Sequence, residues 1–258
     1  RAIALPNQVA KQAKIIHIDI DPAEIGKNMR VDIPIVGDIK GVLATLAQRV
    51  EPVGCDDWVE QVLRYKREFT PRGVDREDYV EPRSFIRALS AMMEEDAILT
   101  ADPGQGQIWA AINFTQKEGR FLTSGGLGTM GYALPAALGA KLAKPRRQVL
   151  AVCGDGAFQM SLCELATVVA SHAPLKVVVF DNRRLGMVRE YQNARYSRRH
   201  IATHMDGNPD FVALCNAYGI PAALAKNNRE AEALAKEMLQ SPRPTVLVCR
   251  VDPETPSL

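Results

Sequence analysis

From about residue 82 onward, apolar runs rich in Val and Ile alternate with stretches whose apolar residues recur at helical spacing. That alternation predicts parallel strands joined by crossover helices. The predicted strands are 97–101, 120–124, 149–153, 176–181, 220–225 and 245–251. Helices are predicted near 105–114, 131–143, 161–171, 186–194, 209–218 and 229–240. The fold class is therefore α/β, a doubly wound parallel sheet flanked by helices, whose ligands sit at the carboxyl ends of the strands.

The first fifty residues follow a different plan. IIHIDIDPAEIGKN (15–28) predicts a strand and a turn at Pro22, and IPIVGD (33–38) predicts a short strand leading into a helix over 39–50. Two strands and a helix make a poor domain, so 1–50 is expected to be the remnant of a second α/β domain. Residues 51–81 predict a connector with one amphipathic helix, and 82–258 the main ligand-binding domain.

Composition narrows the function classes. In a chain of 258 residues, 32 Lys and Arg against 30 Asp and Glu give a net charge of +2, too balanced for a polyanion-binding surface, so nucleic acid is not expected. Five cysteines without a CxxC pair argue against a metal cluster or a disulfide framework and suit free thiols in a reducing, cytoplasmic setting. No apolar run approaches the roughly 20 residues of a membrane helix. The chain opens on Arg1, which suggests a fragment.

Ten of the 18 glycines fall between Gly104 and Gly156, eight of them in the loops DPGQGQ (102–107), GGLGTMG (125–131) and GDGAF (154–158). Gly126, Gly128 and Gly131 satisfy GxGxxG, which keeps a dinucleotide-binding alternative open. The acid that should grip a ribose about 20 residues on would be Asp155, 29 residues after Gly126 and flanked by glycine on both sides. Asn182 follows Asp155 by 27 residues, a distance that takes a βαβ unit down a helix and back up the neighbouring strand, so the two should emerge side by side. One carboxylate and one amide oxygen, completed by a loop carbonyl, phosphate oxygens and water, suit octahedral magnesium. Taken singly, Asp155 could simply cap a helix starting near Ala157, and Asn182 could merely end a strand.

The pattern of GDG followed 27 residues later by Asn, with LTSGGLGTMGYALPAALGAKLA upstream and LGMV downstream, resembles the thiamine diphosphate enzymes. More narrowly it resembles the acetohydroxyacid (acetolactate) synthase large subunit; HIDIDPAEIGKN and VDIPIVGD are similar to the end of that family's middle, FAD-binding domain. The resemblance implies that Asp155, Asn182 and the Arg184 carbonyl bind Mg2+. It implies that Gly104 and Gln105, with the Gly156 and Ala157 backbone, hold the diphosphate. Met130 would bend the cofactor, the Gly128 carbonyl would accept from its aminopyrimidine, and Gly186 and Met187 would line the pocket. Asp19 and Asp38 would contact FAD. The implied reaction decarboxylates pyruvate and adds the two-carbon unit to a second 2-oxo acid, in branched-chain amino-acid synthesis. A homodimer or larger is implied, with room for a regulatory small subunit.

The family's activating glutamate lies in an amino-terminal domain that no stretch here resembles, so no catalytic residue is expected in this chain and the chain alone should not turn over. Three local departures stand out. PGQGQ carries Pro103 for Val and Gly106 for His, Ala157 stands where serine is common, and Tyr191 replaces the Trp of synthases that prefer 2-oxobutanoate. These predict weaker diphosphate binding and a changed acceptor preference, with Tyr191 at the substrate. Alternatives are a thiamine enzyme of the glyoxylate carboligase or 2-hydroxyacyl-CoA lyase type, or a non-catalytic cofactor-binding module.

Overall fold

Strand and helix alternate through most of the computed structural model, which describes residues 12–51, 53–69 and 73–258. Contacts divide the chain into two units, 1–70 and 71–258. In the first, β1 (Ile16–Asp19) and β2 (Ile33–Val36) pair in parallel, with Ile16 opposite Ile33. The helix expected over 39–50 is α1 (Ile39–Ala47); Asp38 caps it by accepting from the Lys40 N–H at 2.7 Å. The amphipathic helix of the connector is α2 (Asp56–Phe69), with acids in its first turn and bases in its last, as the helix dipole favours.

The second unit opens with α3 (Pro82–Met92), a helix absent from the sequence-based assignment. Its start signals are Pro82 at the first position and the Glu81 carboxylate, which accepts from the Ser84 N–H at 2.8 Å. Then follow β3 (Ile98–Ala101), α4 (Gln105–Asn113), β4 (Arg120–Thr123), α5 (Ala133–Ala143) and β5 (Val149–Gly154). The helix expected over 161–171 is α7 (Glu164–Ala170), and a separate short helix, α6 (Asp155–Met160), precedes it. Tight i to i−3 bonds from Ser161 to Phe158 and from Glu164 to Ser161 turn the chain between them. The remainder is β6 (Lys176–Asp181), α8 (Gly186–Arg195), α9 (Phe211–Ala217), β7 (Ala222–Ala225), α10 (Asn228–Gln240) and β8 (Thr245–Arg250).

The six strands from β3 to β8 form one parallel sheet in the order β4-β3-β5-β6-β8-β7. Alternate side chains serve opposite faces. Leu150, Val152, Val178 and Phe180 pack with Phe85, Trp109 and Ala235, whereas Ala151, Cys153, Val177 and Val179 pack with Leu134, Phe158, Leu165 and Phe211. Both faces are covered, which is why the central strands read as unbroken apolar runs rather than as alternating ones. All five cysteines are free thiols.

Strand order places the ligand edge. The connection leaving β3 runs outward to β4, while that leaving β5 runs the other way to β6. The chain thus reverses direction between β3 and β5, and a crevice opens at their carboxyl ends. Gly106, in the first turn of α4, borders it with an ordinary negative φ. A Cβ there would lie 3.6 Å from Val152 and 3.7 Å from Phe180, normal contact distances. Gly106→Ala is therefore expected to raise stability by about 0.4–1 kcal/mol, read as a higher urea midpoint at unchanged slope.

Candidate cofactor site

The loop after β3 (Asp102–Gly104), the loop after β5 (Gly154–Gly156) and the segment after β6 (Asn182–Gly186) meet around one cleft, with Met130 at its side. Gly104 turns the chain from β3 into α4 at φ +138° and ψ −167°, a conformation essentially confined to glycine. Neither α4 nor α6 has a side-chain bond from its N-cap residue, so the first-turn amides that Asp155 does not itself hold, as it holds the Gly156 N–H, remain open to an anion. A Cβ on Gly104 or Gly154 would meet no protein atom within 4 Å, so the backbone there holds space open. Gly156 is glycine for a different reason, because its Cβ would lie 2.9 Å from Leu185 and 3.4 Å from the Met130 methyl.

Asp155 is buried, 2% exposed. Its Oδ1 accepts from the Gly156 N–H at 2.9 Å and its Oδ2 from Asn208 Nδ2 at 2.7 Å. Asn208 Nδ2 also reaches Asp181 Oδ1 at 3.3 Å, and Gln159 holds the Asn208 amide from behind at 2.6 Å. Burial first, and then the Asp181 charge, push the Asp155 carboxyl up to about 7 against the donors Asn208 and Gly156. Two carboxylates thus share one amide, and among the described residues no Lys or Arg side chain neutralises Asp155. The same residues contain no cluster of three His, Cys, Asp or Glu side chains suited to a metal. A divalent ion here would rely on one carboxylate, neutral oxygens and its own ligand's phosphates, the habit of magnesium.

Asn182 is also buried and stands one strand away, as the 27-residue spacing predicts; Gly154 of β5 pairs with Phe180 of β6. Its Nδ2 donates to Gln105 Oε1 at 2.8 Å, and its Oδ1 accepts from the Arg184 N–H at 3.0 Å. Arg183, between them, takes φ +52°, a strained value for a side-chain-bearing residue. Bonds from Leu185 N–H to Thr203 and from Met205 N–H to Arg183 flank the antiparallel bridge between Arg184 and His204. In that register the Arg184 carbonyl points away from the bridging segment. Its guanidinium turns to Asp206 at 3.1 Å.

Gln105, expected at the diphosphate, lines the cleft but directs its amide to protein partners. Nε2 donates to Glu190 Oε1 at 2.9 Å and to the Thr255 carbonyl at 2.8 Å. Gly186 leaves room for the Gln105 amide, since a Cβ would sit 1.8 Å from Gln105 Oε1 and displace that side chain. Ala157 and Met187 complete the lining. Gly128, at φ +70°, lies in the exposed turn after β4 and does not line the cleft. Tyr191 is 58% exposed and lies outside the lining, its ring 6.0 Å from that of Tyr196. Asp19 ends β1 and Asp38 follows β2 as the cap of α1, and Asp19 Oδ1 accepts from the Asp21 N–H at 2.9 Å.

Four neighbours escaped the sequence reading: Asp102, Asp181, Asn208 and Glu190. Asp102 is buried at the end of β3, and its Oδ1 accepts from the N–H groups of Tyr132 at 2.7 Å and Ala133 at 3.0 Å. It thereby caps α5, which lacks a cap of its own, and fixes the backbone just after Met130. Burial raises its pKa, a rise that these amides and the nearby Cys153 thiol oppose.

Fold and cleft define a doubly wound α/β domain with an anion cradle and a buried acid at its switch point. Residues 102–249 match the family model for the thiamine pyrophosphate enzyme C-terminal TPP binding domain, and residues 2–46 match that for the thiamine pyrophosphate enzyme central domain. The chain belongs to the thiamine pyrophosphate (thiamine diphosphate) enzyme family, and the dinucleotide alternative for Gly126, Gly128 and Gly131 falls away. These glycines follow β4, an edge strand, not the strands at the switch point. The chain is 42% identical over 254 residues to the probable acetolactate synthase large subunit of Methanocaldococcus jannaschii, covering 95% of this chain and 43% of that protein. It is 38% identical over 248 residues to the acetolactate synthase isozyme 2 large subunit of Escherichia coli, covering 95% and 44%. With the acetolactate synthase large subunit of Corynebacterium glutamicum it shares 42% identity over 252 residues, covering 92% and 40%. The chain thus spans less than half the length of these relatives. Among its described residues no helix is long and apolar enough to cross a membrane.

Proposed function

We propose that the chain is the cofactor-binding part of a thiamine diphosphate-dependent, acetolactate synthase-like carboligase of branched-chain amino-acid synthesis. Pyruvate is its donor and a second small 2-oxo acid its acceptor. The observation that carries this reading is the buried Asp155, raised to about 7 and without a cationic partner, beside Asn182 in a chain of this family. Asp155, Asn182 Oδ1 and the Arg184 carbonyl would hold Mg2+. Amides at Gly104, Gly156 and Ala157 would hold the diphosphate, with Gln105 bracing the metal side. Met130, Gly186, Met187 and the Gly128 carbonyl would receive the organic part of the cofactor. Bound thiamine diphosphate supplies the carbanion equivalent that lets a 2-oxo acid lose carbon dioxide. This chain's residues bind, bend and shield it, and the gain is in positioning.

Residues 1–50 would belong to the middle domain, with Asp19 and Asp38 toward FAD in the intact enzyme. Its active sites would form in a cytoplasmic homodimer or larger assembly, with Tyr191 near the acceptor and a regulatory small subunit as an added partner. The first test is calorimetric titration of thiamine diphosphate into the protein with Mg2+ and with EDTA. Binding is expected only with the metal, stabilising the fold by about 2.7 kcal/mol at a hundredfold excess over Kd. Metal-independent binding, or binding of NADH in its place, would refute the reading.

A further inference from the structure

The Asn182 side chain poses a problem that an aspartate would not. Its amide has nearly the same shape either way round, yet one orientation offers an oxygen to a cation and the other an N–H donor. We infer that Glu190 fixes this choice together with the Arg184 N–H, which donates to Oδ1 at 3.0 Å: Glu190 is a positioning residue that orients Gln105, and through it the Nδ2 side of Asn182, so that Oδ1 faces the metal. The inference rests on the cation site proposed above.

Hydrogen-bond polarity is set outward from Glu190. Glu190 Oε1 accepts from the Ser257 N–H at 2.6 Å and from Gln105 Nε2 at 2.9 Å, while Oε2 accepts from Ser257 Oγ at 2.6 Å. The Thr255 carbonyl, 2.8 Å from the same Nε2, also only accepts. Two acceptor-only groups therefore use both N–H bonds of Gln105 and force its Oε1 toward Asn182. Asn182 must meet that oxygen with Nδ2, which it does at 2.8 Å, and its own Oδ1 is left on the opposite side. Reversing either amide would place oxygen against oxygen or N–H against N–H among groups that are largely buried, where mismatches are costly.

Helix α8 is built for this contact. Gly186 and Glu190 are four residues apart and share a face. At 186 glycine leaves room for the Gln105 amide, and at 190 the carboxylate receives its far end. Gln105 and Glu190 are 85 residues apart in sequence, and Glu190 and Ser257 are 67 apart, so only the fold brings them together.

The test measures Mn2+ affinity of the full-length protein by electron paramagnetic resonance at saturating thiamine diphosphate, with melting curves to verify folding. Glu190→Ala is expected to weaken Mn2+ binding about 10–100-fold, the usual effect of removing a group that orients a ligand. Glu190→Met, similar in length and at most a weak acceptor, should do the same if the alanine variant is poorly folded. Glu190→Gln keeps an acceptor for Gln105 and can donate to Ser257 Oγ, so it should restore affinity to near native. Ser257→Ala, which loosens only the carboxyl-terminal segment, should bind Mn2+ almost normally. Native affinity in both Glu190→Ala and Glu190→Met would overturn the inference. So would a loss in Ser257→Ala equal to that in Glu190→Ala, because Glu190 would then act only by anchoring that segment. If the unsubstituted protein binds thiamine diphosphate without metal, the proposed function fails first, and it fails before any variant is examined.

Discussion

Asp155→Asn is expected to abolish magnesium-dependent binding of thiamine diphosphate and, at the same time, to make the metal-free protein more stable at about pH 8 by up to about 4 kcal/mol. Both effects come from one buried charge. The carboxyl titrates near 7 in the folded protein, against 3.8 for an ordinary aspartate. Between those values the folded state binds more protons than the unfolded one, so stability falls as pH rises through that window. Above about 7 the loss is complete, having grown by about 1.4 kcal/mol for each pH unit crossed between the two values. Well below 3.8 both states are protonated and the Asp155 charge no longer separates the two proteins. Asparagine removes the charge and its oxygen can still accept from the Gly156 N–H, but its Nδ2, which can donate toward Asp181, replaces the oxygen that accepts from Asn208 Nδ2, so the gain at pH 8 is that upper bound less the cost of the lost bond. Urea unfolding of both proteins in EDTA across this range measures the divergence, and parallel pH curves would show that Asp155 is not its source. A site that costs the apoprotein stability until a cation arrives is the usual trade between stability and function.

What could be read in advance follows from how each feature is encoded. Strands 149–153 and 176–181 are buried on both faces, so burial wrote them as unbroken apolar runs, and the helix between them fixed where Asp155 and Asn182 would surface. The glycines at 104, 131 and 156 were legible as backbone under constraint, though Gly156 answers to Leu185 and Met130 as much as to any ligand. The polar contacts that support the site left no such trace. Asp102 meets Tyr132 across 30 residues, Asn208 meets Asp155 across 53 and Gln105 meets Thr255 across 150, with no period or flanking signal to join them. The short helix α6 is hidden for a related reason: it is one six-residue turn set off from α7 only by tight turn bonds, with no pattern of its own. Sequence pattern thus reports what burial and regular hydrogen bonding impose, whereas the side chains that orient ligands depend on the finished topology.

Phe180→Ala is expected to cost about 3–5 kcal/mol and also to weaken cofactor binding, which separates it from other core truncations. The ring is 2% exposed at the carboxyl end of β6, immediately before Asp181 and Asn182. It meets Trp109 edge to face at 5.5 Å and Phe85 at 6.3 Å, contacts that add to the area it buries. Trp109 in turn donates from Nε1 to the Pro256 carbonyl at 2.9 Å, so the ring underlies α4, α3 and the carboxyl-terminal segment together. Deleting it opens a cavity beneath Gln105 on one side and Asn182 on the other, and partial collapse into that space would move both. Phe85→Ala removes a ring of the same core, equally buried but outside the cleft lining. It should cost similar stability while leaving affinity for thiamine diphosphate at saturating Mg2+ near native. Denaturant unfolding paired with cofactor titration of both variants makes the comparison. Equal stability losses with native affinity in Phe180→Ala would mean that the site's geometry is held by its own hydrogen bonds, independently of the aromatic core beneath it.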